Sequence, residues 1–172
     1  MPDGAFQVAV VTPEARLLEM PAKALVLRSS DGFLTVLDGH TPIVTDVVPC
    51  DVRVDPEEGD PLHLAVHGGY LQVETGELDS PHPEGAGPAE RSTRATLLAG
   101  VAELAADIDV ARAESAKEAA EARADELRAA GARKPGEGDD GDQEVTPEGL
   151  ELAESEAAVA RASLRLEVAE AR

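Results

Sequence analysis

The sequence predicts an α+β chain: an N-terminal β-sandwich over residues 1–100 followed by an antiparallel two-helix hairpin over 101–172. Three observations carry that expectation. Before residue 100, short β-branched and apolar runs alternate with turn-forming residues. From Asp107 to Ala130 there is no Gly or Pro, and Ala, Glu and Arg dominate. After an acidic linker, Thr146-Pro147-Glu148 restarts a helical pattern with apolar residues at intervals of three and four.

The strand-length runs come in order as "FQVAVV" (6–11), "ALVLRS" (24–29), "FLTVL" (33–37), "IVTDVV" (43–48), "DVRV" (51–54), "LHLAV" (62–66), "YLQVE" (70–74) and "RATLLAG" (94–100). Turn signals stand between them at Ser30-Asp31-Gly32, Asp38-Gly39-His40, Glu58-Gly59-Asp60 and Gly68-Gly69. A Pro- and Gly-rich acidic loop spans 75–93. Many short strands with such punctuation predict a sandwich or barrel. Aromatics make up only 2% of the chain, so Val, Leu, Ile and Ala must build the core.

The first helix is expected to start at Asp107 as N-cap, with Asp109 in the first turn and Gly131 closing the C-terminus. Its expected seam is Ile108, Ala111, Ser115, Ala119 and Ala122. A flexible acidic linker follows at 131–145. Thr146 caps the second helix and Pro147 takes its first position. The seam expected there is Leu150, Ala153, Ala157, Ala160, Leu164, Val168 and Ala171. Small residues on both seams let the helices approach closely. They also bury little, so the hairpin is expected to be marginally stable and free to rearrange.

Charge and composition exclude several functions. A net charge of -20 would repel nucleic acid and anionic membrane surfaces, and aromatic stacking platforms are lacking. Cys50 is the single cysteine, so no disulfide forms within the chain; with no signal-peptide pattern this points to a reducing, cytoplasmic setting. His63 and His67 share a strand face, but no Cys or third placed ligand accompanies them, so no metal is expected. No nucleophile elbow, catalytic triad or phosphate-binding Gly loop followed by Lys occurs, and no catalytic residues are assigned.

"VVTPEARLLEMPAKALVLRSSDGFLTVLDGHTPIVTDVVP", "HGGYLQVE" and "AELAADIDVARA" together resemble the epsilon subunit of bacterial F-type ATP synthases, the homologue of the mitochondrial delta subunit. The resemblance implies a non-catalytic rotor subunit. Its sandwich would meet the gamma subunit and the membrane c-ring, through Phe33, Leu34 and His40. Its C-terminal arm would reach the alpha and beta catalytic subunits and restrain ATP hydrolysis, with Arg161, Arg165 and Arg172 as contacts. It would sit peripherally on the cytoplasmic face of the membrane, held only through the complex, and would require no cofactor. The chain departs from the family pattern at Phe33, Thr35 and Asp38, where the family carries an acidic residue, Gly and Pro.

Ile108-Asp109-Val110-Ala111-Arg112-Ala113 also matches the motif with which some members of that family bind ATP between the arm helices. The resemblance makes Glu103, Asp109, Arg112, Arg161 and Arg165 candidate contacts to ATP as a regulatory ligand. Ala119 stands where ATP-binding members carry a further Arg. The plainer reading of the same residues is a helix start with an Asp109–Arg112 or Arg112–Glu118 ion pair. A free-standing nucleotide-sensing or protein-interaction module of the same architecture is the alternative.

Overall fold

The computed structural model describes residues 4–77, 91–135 and 146–171. Most of the acidic loop and of the linker, and Arg172, lie outside them. Two compact units divide the chain, one ending at Asp107 and one running from Ile108 to Glu170.

The first unit is all β. Its strands are β1 (Phe6–Val11), β2 (Arg16–Ser29), β3 (Gly32–Val36), β4 (Ile43–Val47), β5 (Cys50–Pro56), β6 (Leu62–Val66), β7 (Gly69–Glu77), β8 (Arg91–Ala99) and β9 (Ala102–Leu104). Among the described residues they form one hydrogen-bonded path, β4-β7-β8-β1-β2-β5-β6-β9, with β3 on the side of β2. β2 is the corner strand. Residues 16–22 pair with β1, and residues 25–29 pair with β3. A register irregularity between Ala22 and Ala24 marks the crossing from one layer to the other.

Alternation puts one set of side chains between the layers. Phe6, Val8 and Val10 from β1, Leu25 and Leu27 from β2, and Val52 and Val54 from β5 are buried there. So are Leu64, Leu71 and Leu97. They form a single apolar cluster. Each such side chain contributes roughly 1.5–3 kcal/mol when fully buried, so the sandwich is the stable part of the molecule.

Two strand features were not legible. β2 begins at Arg16, well before the expected residue 24, because pairing with β1 carries Pro21 and the charged residues around it into the ladder. β9 pairs with β6 (Leu64↔Leu104 and Val66↔Ala102). The sandwich therefore ends after a 3-10 turn, Ala105–Asp107, rather than at residue 100.

The second unit contains α1 (Val110–Ala129) and α2 (Pro147–Glu170). α1 ends as expected: Gly131 takes φ +87°, its N–H donates to the Arg128 carbonyl, and Ala132 N–H donates to the Leu127 carbonyl. Ala132 also packs on the cluster of Ala124, Leu127 and Leu152. α2 starts as expected, with Thr146 Oγ1 accepting from Gly149 N–H at 3.1 Å. Its first turn abuts the chain just past α1, since Gly149 lies against the carbonyl of Arg133. Leu152 packs with Ala124 and Leu127, so the helices run antiparallel.

Both seams are largely displaced from expectation, although Ile108, just before α1, is buried as expected. In α1 the buried or half-buried positions are Ala113, Lys117, Ala120, Ala124 and Leu127, while Ala111, Ser115, Ala119 and Ala122 are exposed. In α2 Leu152, Ser155 and Ala162 are buried, and Leu150, Ala157 and Ala160 are exposed, as is Ala171 just past its end; Ala153 is half-buried, and Leu164 and Val168 are buried as expected. The physical reason is that Leu127 and Leu152 meet around the capped end of α1, and those two large groups set the register of helices that otherwise offer mostly Ala.

Candidate functional site

The start of α1 positions the first group of candidates. Asp109 has extended backbone (φ -79°, ψ 98°) and its side chain accepts from Arg112 N–H at 3.0 Å. Asp109, not Asp107, is the N-cap; Asp107 closes the preceding 3-10 turn. The carboxylate thus neutralises an unpaired helix N–H and the positive end of the helix dipole. The Arg112 side chain is exposed, and among the described residues it makes no ion pair with Asp109 or Glu118. The expected ion pair is absent because the cap bond turns the carboxylate toward backbone.

On α2, Arg161 is exposed and Arg165 half-buried, one turn apart. Glu103 lies in β9 and so belongs to the sandwich unit. Ala119, the position lacking an Arg, is exposed. Within the hairpin a cleft of about 390 Å³ is lined by Glu121, Ala124, Asp125, Arg128, Glu156 and Val159. Ala124 follows Asp109 by 15 residues, about 22 Å along the helix. This cleft is therefore separate from the Asp109–Arg112 motif.

The sandwich positions the second group. Phe33 is 85% exposed at the start of β3, with the Arg28 guanidinium 5.8 Å from its ring centroid. Leu34 faces the other way and packs against the core. The His40 turn is stapled to β7 and β8: Thr75 Oγ1 donates to the His40 carbonyl at 3.1 Å, and Gly39 N–H donates to Thr93 Oγ1 at 2.7 Å. The β2–β3 turn is held elsewhere, by Ser30 N–H and Oγ donating to Asp46, whose register partner is Tyr70. Tyr70 and Thr75 lie five residues apart on β7, roughly 17 Å. Phe33 and His40 thus lie toward opposite ends of the sandwich, and Leu34 is half-buried against the core.

His63 Nδ1 lies 2.7 Å from Asp51 Oδ2 across β5 and β6. No cluster of metal-ligating side chains occurs among the described residues. Cys50 is half-buried against the core, and burial pushes its thiol pKa up.

The β-sandwich domain of the ATP synthase Delta/Epsilon chain family matches residues 5–79. The ATP synthase epsilon chain of Brevibacillus brevis is 34% identical over 116 residues, 67% of this chain and 75% of that one. The chain belongs to the ATP synthase epsilon chain family. The epsilon chain of Anoxybacillus flavithermus is 37% identical over 118 residues, 69% of this chain and 75% of its own length. A chain of the Euglena gracilis mitochondrial ATP synthase OSCP/F1/c-ring assembly shares the fold, with TM-score 0.63 and 19% identity over 99% of this chain and 83% of that one.

One surface of this epsilon-family chain escaped sequence reasoning. Val44, Tyr70 and Leu98 are exposed and adjacent on the outer face of β4, β7 and β8, where Tyr70 and Leu98 are direct cross-strand partners. The signal was apolar residues in the outward phase of strands whose inward phase (Leu71, Val73, Leu97) was already filled.

Proposed function

We propose that the chain is a non-catalytic central-stalk subunit of an F-type ATP synthase, peripheral to the membrane on its cytoplasmic face. The observation that carries this reading is membership of the epsilon chain family, with three quarters of a relative's length matched. The sandwich contacts the gamma subunit and the c-ring. The exposed face of Val44, Tyr70 and Leu98, and the separate prominence of Phe33, are the surfaces offered for those contacts. No described helix is long and apolar enough to cross a membrane, so the c-ring and gamma subunits hold the chain there.

The helical unit acts as a movable brake on ATP hydrolysis, reaching the alpha and beta subunits through Arg161, Arg165 and Arg172. ATP is its regulatory ligand, through Asp109, Arg112, Arg161 and Arg165, with Glu103 as a further candidate. Exposed guanidinium groups can pair phosphates, and Arg112 and Arg161 are exposed.

Pull-down of the native complex through this chain tests the assembly. Gamma and c-ring subunits are expected with it; recovery of the chain alone would replace the proposal with a free-standing nucleotide-sensing module. Equilibrium dialysis with ATP tests the ligand. Saturable binding weakened at least tenfold by Arg112→Ala is expected, and no saturable binding would remove ATP from the proposal.

A further inference from the structure

We propose that the connector end of the hairpin is an ionic latch, which sets how often the two helices separate and makes that separation salt-dependent. It concerns the hairpin itself and stands whether or not the chain works in a synthase.

Ion pairs cross the hairpin at its connector end, from Arg123 to Glu151 and from Arg128 and Lys134 to Glu156. Arg123 Nη2 lies 2.6 Å from Glu151 Oε1, with Nε adding a second bond at 2.9 Å. Arg128 Nη2 lies 2.7 Å from Glu156 Oε1, and Lys134 Nζ lies 2.6 Å from the other oxygen of the same carboxylate. Glu156 therefore ties together the last turn of α1, the segment after its cap, and α2. Each arginine is also held by an acid on its own helix, Glu126 for Arg123 and Asp125 for Arg128. That second bond orients the guanidinium before the helices meet and lowers the ordering cost of the cross-pair.

Beneath these pairs lies the small cluster of Ala124, Leu127, Leu152 and Ala132. The plug is too small to hold the helices strongly, since Ala contributes far less than Leu on burial. Farther toward the start of α1 the seam positions are Ala113, Lys117 and Ala120. The pairs are exposed enough that salt reaches them: side-chain exposure is 47% for Arg123 and 52% for Arg128. Raising ionic strength to 1 M shortens the screening length to about 3 Å.

The test is amide hydrogen exchange on the full chain, reading protection at residues 124–130 and 150–156 against sandwich amides such as Val8 and Val10. Each lost pair is expected to lower hairpin protection about two- to fivefold. Arg123→Gln with Arg128→Gln should lower it more than either alone, and 1 M NaCl should reproduce most of that loss in the unsubstituted chain. Lys117→Gln removes a pair within α1, to Glu121 at 3.9 Å, while keeping a long polar side chain at that half-buried seam position, and should leave protection within about twofold. The exchanged pair Arg123→Glu with Glu151→Arg should recover protection that each single substitution loses. The latch is overturned if the double glutamine variant costs no more than Lys117→Gln, if the exchanged pair recovers nothing, or if salt leaves hairpin protection unchanged relative to the sandwich.

Discussion

Gly149→Ala sets two effects of opposite sign against each other. Helix propensity alone favours Ala over Gly by about 0.8–1 kcal/mol in a helix interior, and less near an end. If α2 stood alone, the substitution would stabilise it. In the structure a Cβ at position 149 would press into the backbone carbonyl oxygen of Arg133, far inside ordinary contact, and lie 3.1 Å from Thr146 Oγ1. The Arg133 carbonyl cannot swing away like a side-chain tip. It directly follows Gly131 and Ala132, whose N–H groups are bonded to the end of α1. Overpacking of this kind costs about 1–3 kcal/mol, so the net expectation is a loss of roughly 1 kcal/mol of closed hairpin. The check is hydrogen exchange at residues 150–156, with protection expected to fall about fivefold. A rise in protection would show that propensity wins and that α2 does not pack on the turn after α1.

Other outcomes follow from the same structure. Asp109→Ala should destabilise the start of α1 by about 1 kcal/mol, whereas Asp109→Asn should cost only a few tenths, because both Asp and Asn accept from Arg112 N–H; far-ultraviolet circular dichroism and exchange at residues 112–116 distinguish them. The asparagine variant also isolates any charge effect on ATP binding from the loss of the cap. Lys134 first, and then Arg128, hold the Glu156 carboxyl below the usual glutamate value. The pairs therefore support the hairpin above pH about 4.3 and fade as pH falls through the depressed folded value. Exchange-measured hairpin protection should accordingly drop as pH falls below about 4.3, and Glu156→Gln should flatten that drop. Burial raises the Cys50 thiol pKa, so iodoacetamide should alkylate it more slowly at pH 8 than free glutathione. Phe33→Ala should leave the chain's melting temperature nearly unchanged, since the ring is exposed, while lowering recovery of the complex in pull-down.

The sandwich was legible where local chemistry decides. Val8 and Val10, Val52 and Val54, and Leu71 and Val73 alternate with exposed or half-buried residues, and Gly32, Gly39 and Gly59 mark turns. Gly131 and Thr146 were legible as caps because each supplies its own backbone solution. What escaped depends on distant partners. β9 is too short to announce itself and exists because β6 offers an open edge. Asp107 and Asp109 are chemically equal candidates for the N-cap; the 3-10 turn leading out of β9 decides between them. The seams drifted because Ala-rich helices have weak apolar contrast. Leu127 is the one large apolar residue buried within α1, Val110 at its start being exposed. For the site, the Ile108–Ala113 motif was readable, yet the capping role of Asp109 was assigned to its neighbour. The Val44, Tyr70 and Leu98 face needed the cross-strand register before its residues could be seen as adjacent.

The boundary at Asp107 also fixes how the central claim is best tested. Truncation after residue 100 would remove β9 and uncover Leu64 and Val66, confounding loss of the arm with damage to the sandwich. Truncation after Asp107 keeps that ladder intact. The decisive measurement is ATP hydrolysis by the purified complex carrying either the full chain or residues 1–107, with subunit content checked in both. Hydrolysis should rise severalfold on truncation while gamma and c-ring subunits remain in place. Equal hydrolysis by two fully assembled complexes would contradict a braking arm.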